Sequence, residues 1–188
     1  MGTQSTLPPP ARAVDLCKYF TLTDSAKVGL LPEMTPDQFL QAAVDNKWHS
    51  DAIQFLSHLL PKRQAVFWAM TCVRQSGEKL NAQEEAALKA AEKWIGDPSE
   101  ENRQAALKAA NDAETSTPAG ATALAAHYSD GLPQTQDPKM NAKAYFMTAK
   151  LVTGAVLMVA TSSSDQALSR MEAFLSKGME IVKKTKQR

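Results

Sequence analysis

A chain of 188 residues with 44% hydrophobic side chains is long enough to bury one sizeable core, and its formal net charge of +1 leaves no global basic excess. That balance excludes an extended nucleic-acid footprint or a polybasic membrane surface, and the most apolar run, Leu151 to Ala160, is too short to cross a bilayer. Cys17 and Cys72 lie far apart without CxxC spacing, which excludes a disulfide framework or zinc knuckle and fits a reducing, cytoplasmic setting.

In chain order, residues 1–12 have the Pro-rich start of an unstructured tail, and they lack the charged start and apolar run of a secretory signal. Residues 13–188 are expected to form a single helical domain. Three helix starts carry a capping residue followed by Pro: Thr35-Pro36, Asp97-Pro98 and Thr117-Pro118. The first predicted helix places Phe39, Leu40, Ala43 and Val44 at helical spacing and stops at Asn46. A second begins near Ser50, carries Ala52, Ile53, Leu56, Leu59 and Leu60, and must end there because Pro61 disfavours helical backbone in the residue before it.

Pro61 opens a third helix, apolar on most of its circumference from Val66 to Val73, which predicts the central buried element; Gly77 ends it. Asn81 with Glu84 makes a capping box for a fourth helix to about Ile95, with Gly96 expected as a left-handed terminus. A fifth runs from Pro98 to about Ala113, its positive end complemented by Glu100 and Glu101. The sixth spans Pro118 to about Tyr128. A polar loop from Ser129 to Lys139 follows, then longer helices at about Asn141 to Ala160 and 164–186. The fold class is therefore all-α, a bundle of about seven to eight helices. High Ala content lets the backbones approach closely, with Phe67, Trp68, Trp94 and Ile95 acting as wedges.

The hexapeptide AALKAA occurs at 86–91 and again at 105–110, but two copies are too few for a stacked repeat array. Charge is uneven. From Glu78 to Thr115 there are five Lys/Arg against nine Asp/Glu, whereas Lys177 to Arg188 holds five basic residues and one acidic.

No pattern for catalysis, metal binding or cofactor binding emerges. His49, His58 and His127 lack metal-ligand spacing, and the first two fall on nearly opposite faces of one helix, where a surface or boundary position is expected for each. Cys72 sits in an apolar helix that raises its thiol pKa, and no GxSxG, Walker or GxGxxG pattern occurs. Eight methionines, among them Met140, Met147, Met158, Met171 and Met179, are read first as core fillers and second as an adaptable groove. The residues singled out for contact with a protein partner are Arg63, Trp68, Arg74, Trp94 and Arg103. The three arginines are also placed to reach helix carbonyl ends or to pair with Glu92 and Glu101.

Several blocks occur in order: DAIQFL at 51–56, LPKRQAVFWA at 60–69, AAEKWI at 90–95, PSEENRQAA at 98–106, TPA at 117–119 and YSDG at 128–131. Over about 35–160 the chain resembles a bacterial all-helical family of unknown function found in type VI secretion gene neighbourhoods. It departs at Phe67 and Met70, where a second Trp and a small residue are expected. The resemblance brings no catalytic residues. It implies an accessory, adaptor or effector-loading chaperone role in the cytoplasm, with a secretion component or effector as protein partner. The alternative is an immunity protein that neutralises a toxin, and a cryptic enzyme stands third.

Overall fold

A computed structural model describes residues 11–130 and 146–187, and among these it contains helices and no strand. Two short helices that the sequence reading did not assign, α1 (Ala13–Cys17) and α2 (Asp24–Gly29), precede eight longer ones. These are α3 (Pro36–Asp45), α4 (His49–Leu59), α5 (Lys62–Gln75), α6 (Ala82–Gly96), α7 (Glu100–Asp112), α8 (Pro118–His127), α9 (Met147–Ala160) and α10 (Ala167–Lys186). Of the expected tail, residues 1–10 lie outside the described residues. So do the loop from residue 131 onward, Met140, and the start of the predicted helix at Asn141. A single 3-10 turn at Ser164–Gln166 replaces the α-helical start expected there, and another at Tyr128–Asp130 follows α8 where the loop was expected to begin.

Local chemistry accounts for half of the helix starts among the described residues. The Thr35 hydroxyl accepts from the Gln38 amide at 3.3 Å while the Gln38 side chain accepts from the Thr35 amide at 2.9 Å, a reciprocal capping box. Asn81 and Glu84 do the same at the head of α6, at 2.9 and 2.8 Å. Thr117 caps α8 by accepting from the Gly120 amide at 3.0 Å. Gly120 is required there, because a Cβ would run into the Glu114 carbonyl of the tight α7–α8 turn. Gly77 closes α5 in the left-handed region, at φ 72°.

Two starts and stops differ from expectation. The helix expected to begin at Asp97-Pro98 begins at Glu100, capped by Ser99. Asp97 instead ends α6 and is held by Asn102, whose side-chain amide donates to both its carbonyl and its carboxylate. Gly96 is not left-handed, because the Arg63 guanidinium crosses from α5 and donates to the Ile95 and Gly96 carbonyls that a left-handed turn would otherwise satisfy.

Two helices form the interior. α4 packs against α1, α3, α9 and α10, and only Ser50 along it is exposed; α8 packs against α5, α6, α7 and α9. α5 and α9 bridge the two groups. The expectation that α5 is the central element is therefore corrected: one stripe of it, including Arg63, Phe67 and Arg74, faces outward. α8 reads PAGATALAAH, apolar and small all round, so it can be approached from every side. The two AALKAA segments lie on α6 and α7. Each buries its second and last Ala, Ala87 and Ala91 on one helix and Ala106 and Ala110 on the other, and exposes its Lys.

Phe39, Phe55, Ile53, Leu56, Leu88, Trp68, Trp94 and Phe174 are fully or almost fully buried in one continuous core running from Ala13 to Val182. Each such side chain contributes roughly 1.5–3 kcal/mol by leaving water. Met171 belongs to that core, and Met147, Met158 and Met179 are half-buried around it. Arg170 ties three helix ends together. It donates to the Val159 carbonyl at 3.1 Å, the Ser76 carbonyl at 2.9 Å and the Ser162 hydroxyl at 2.6 Å, and it pairs with Glu78 at 3.0 Å.

Candidate functional site

Among the residues expected to meet a partner, the structure brings Arg63 and Arg74 onto one outward face and sends the tryptophans inward. Residues 63, 67, 71 and 74 recur at helical spacing on α5. Along this stripe Arg63 caps the end of α6, and Arg74 reaches Glu85 at 3.5 Å and Glu92 at 4.0 Å on the same helix. The Phe67 ring lies between the two arginines and is 38% exposed, so its expected role as a buried wedge is corrected. Ile95, another expected wedge, is only half-buried, and its carbonyl accepts from Arg63.

Trp68 and Trp94 are fully buried and present no surface to a partner in this conformation. The Trp68 indole N–H donates to the Phe174 carbonyl of α10 at 2.8 Å, which makes it a link between helices. The Trp94 indole N–H has no hydrogen-bond partner among the described residues. Arg103 lies on the α7–α8 seam. It holds Glu100 through two bonds of 2.7 Å and donates to the His127 carbonyl at 3.0 Å, while the His127 ring meets the Arg103 carbonyl at 3.3 Å. Glu100 takes the place expected for Glu101, and its bonds to Arg103 and then Gln104 hold its carboxyl down to about 2.

Cys72 is buried and Cys17 is half-buried. Burial pushes the Cys72 thiol well above its ordinary value and the Cys17 thiol up to about 12, which leaves almost no thiolate at neutral pH. His49 and His58 are buried, contrary to the surface or boundary positions expected, because both faces of α4 are covered. His49 faces Glu172 of α10 at 3.7 Å, and His58 lies among aromatic rings on the other side. Burial, reinforced by Lys150, holds the His58 pKa down to about 4 against the opposing effect of its bond to the Gln54 carbonyl. Among the described residues no three His, Cys, Asp or Glu side chains converge as metal ligands, and no helix is long and apolar enough to cross a membrane.

What sequence reasoning missed is Phe67 as the exposed member of the Phe67-Trp68 pair, together with Glu85 as the partner of Arg74. The available signal was the spacing itself, since 63, 67 and 74 share a face that residue 68 does not.

The geometry defines an all-helical protein with a close-packed interior and a charged outer face that carries one aromatic ring. The chain belongs to the DUF6931 family, a family of unknown function whose model matches residues 39–182. No curated protein and no solved structure matches it.

Proposed function

We propose that the chain is a non-enzymatic helical interaction protein that binds a protein partner through the outward face of α5 and α6. The observation that carries this reading is the exposed Phe67 ring framed by Arg63 and Arg74, each of which is held in place by contacts to α6. An aromatic side chain set between anchored arginines has the composition of a binding hot spot, and it needs little reordering to engage. Burial of Cys72 and His58 supports the same reading, because neither group can meet a substrate without the helices parting. The setting we propose is a bacterial type VI secretion apparatus, in an accessory, adaptor or effector-loading role in the cytoplasm. That setting rests on the resemblance of the sequence blocks quoted above.

The test is affinity capture of the tagged protein from cells that carry such an apparatus, beside a Phe67→Ser variant. A secretion component recovered with wild type and weakened about 30-fold or more by Phe67→Ser, at unchanged thermal midpoint, is the expected result. Recovery that Phe67→Ser does not alter would remove the proposed face. A toxin recovered in place of a secretion component would favour the immunity reading, which the acidic exposed residues of α6 and α7, among them Glu92 and Glu101, also support.

A further inference from the structure

The segment ahead of α3 is fastened to α4 along a single stripe. Asp51, Phe55 and His58 recur at intervals of four and three residues and so share one face of α4. Residues 13–34 lie across it. The Thr23 amide and hydroxyl both donate to the buried Asp51 carboxylate, at 2.8 and 2.7 Å. Phe20 packs edge-on against Phe55, with ring centroids 6.3 Å apart, and stacks on the His58 imidazole at 4.5 Å. Phe146 also lies against His58, at 5.4 Å, and in turn packs on Tyr19 at 4.2 Å. The segment is closed on itself by the Ala13 amide, which donates to the Met34 carbonyl at 2.7 Å, and its α2 end is pressed against Trp48 at Gly29.

The imidazole inside this stack is held in one protonation state. Its Nδ1 lies 2.7 Å from the Gln54 carbonyl, and because a carbonyl only accepts, Nδ1 carries the proton. Nε2 is buried and has no hydrogen-bond partner among the described residues, so a second proton there would point at none of their acceptors and leave a cation between aromatic carbons. Among the described residues, the charged or titratable groups around this face are Lys150 of α9, whose charge repels that cation, Asp51 on α4 itself, and Cys17 and Tyr19 of the overlying segment. None of them is hydrogen-bonded to Nε2.

We propose that residues 13–34 form an acid-releasable strap: protonation of His58 undocks them from α4 while the remaining helices stay folded. Two observations make the strap separable. Its helices are short, and the family match begins at Phe39, so the strap lies outside the unit that the family model describes. Undocking returns the imidazole to water and lets it bind its proton at ordinary strength. The sign follows from proton counts. Between the unfolded value of about 6.5 and the docked value of about 4 the open form binds more protons, so docking is strongest above that window and weakens as pH falls through it. From pH 7 to pH 4 the open population rises on the order of 100-fold. Release uncovers the Asp51, Phe55 and His58 stripe.

Hydrogen exchange read by mass spectrometry on the full chain at pH 7 and pH 4, each peptide corrected for its intrinsic rate, tests the proposal. Expected is a loss of protection in residues 13–30 at pH 4 that far exceeds any loss in α5. His58→Phe, which keeps a ring but cannot titrate, is expected to abolish the difference, and Asp51→Asn to preserve it. His58→Gln serves as the second neutral variant should His58→Phe not reach native helicity at pH 7. Strap and α5 opening together, a strap as protected at pH 4 as at pH 7, or acid release that persists in the neutral His58 variants would each overturn the proposal.

Discussion

Trp68→Ala is expected to lower stability by about 3–5 kcal/mol, read as a fall in the urea midpoint at nearly constant m-value. The indole is fully buried between α5 and α10, so its removal leaves a cavity that two packed helices cannot close without moving. It also removes the 2.8 Å bond to the Phe174 carbonyl, a cross-helix hydrogen bond worth about 1 kcal/mol net. Trp68→Phe retains a ring but loses that bond and part of the volume, and should fall between wild type and Ala. A midpoint for Trp68→Ala within error of wild type would mean that α10 does not depend on this contact.

Gly178→Val is expected to destabilise by roughly 3 kcal/mol, the upper end of overpacking costs, and to displace α10. A Cβ at Gly178 would overlap the Leu56 side chain on α4 and lie 2.9 Å from Cε2 and 3.0 Å from Nε1 of Trp68. Neither neighbour can yield easily: Leu56 is fully buried and the indole is held by its hydrogen bond. Gly178→Ala gains up to about 1 kcal/mol of helix propensity and loses about 1–3 kcal/mol to overpacking, so a smaller net loss is expected. Gly154 in α9 is the control, since nothing among the described residues lies within 4 Å of a Cβ there. Gly154→Ala should raise the midpoint by an amount equivalent to about 0.5–1 kcal/mol. Equal effects at the two glycines would show that propensity, and not close helix approach, governs both.

These contacts explain why the helix pairings were not legible in the linear pattern. Gly178 gives α10 a flat place where Leu56 and Trp68 enter, but in a one-dimensional reading it is only a weak residue inside an amphipathic helix. The candidate face shows the same limit. The Arg63 and Arg74 positions were legible as helix-end and ion-pair residues, whereas the inward turn of Trp68 and the outward turn of Phe67 depend on where α10 and α6 lie around α5. The strap escaped for another reason. α1 and α2 are each about a turn or two long, too short for periodicity to register, and they are held by Thr23 on Asp51 and Phe20 on His58, partners from a later part of the chain.

The sequence by itself determined the all-helical class and several helix starts, because the reciprocal bonds of Thr35 with Gln38 and Asn81 with Glu84, and the Thr117-Pro118 start, are made within a single turn. Only the tertiary structure decided which helices are central and which side of each faces water. α8 is small and apolar on every side, so it carries no amphipathic direction of its own, and its four neighbours alone define its place. The α6 terminus was settled in the same way, by a guanidinium arriving from α5 and not by the glycine at its end. Capping is short-range hydrogen bonding and can be read along the chain, whereas helix rotation and burial are properties of surfaces that meet only once the chain has folded.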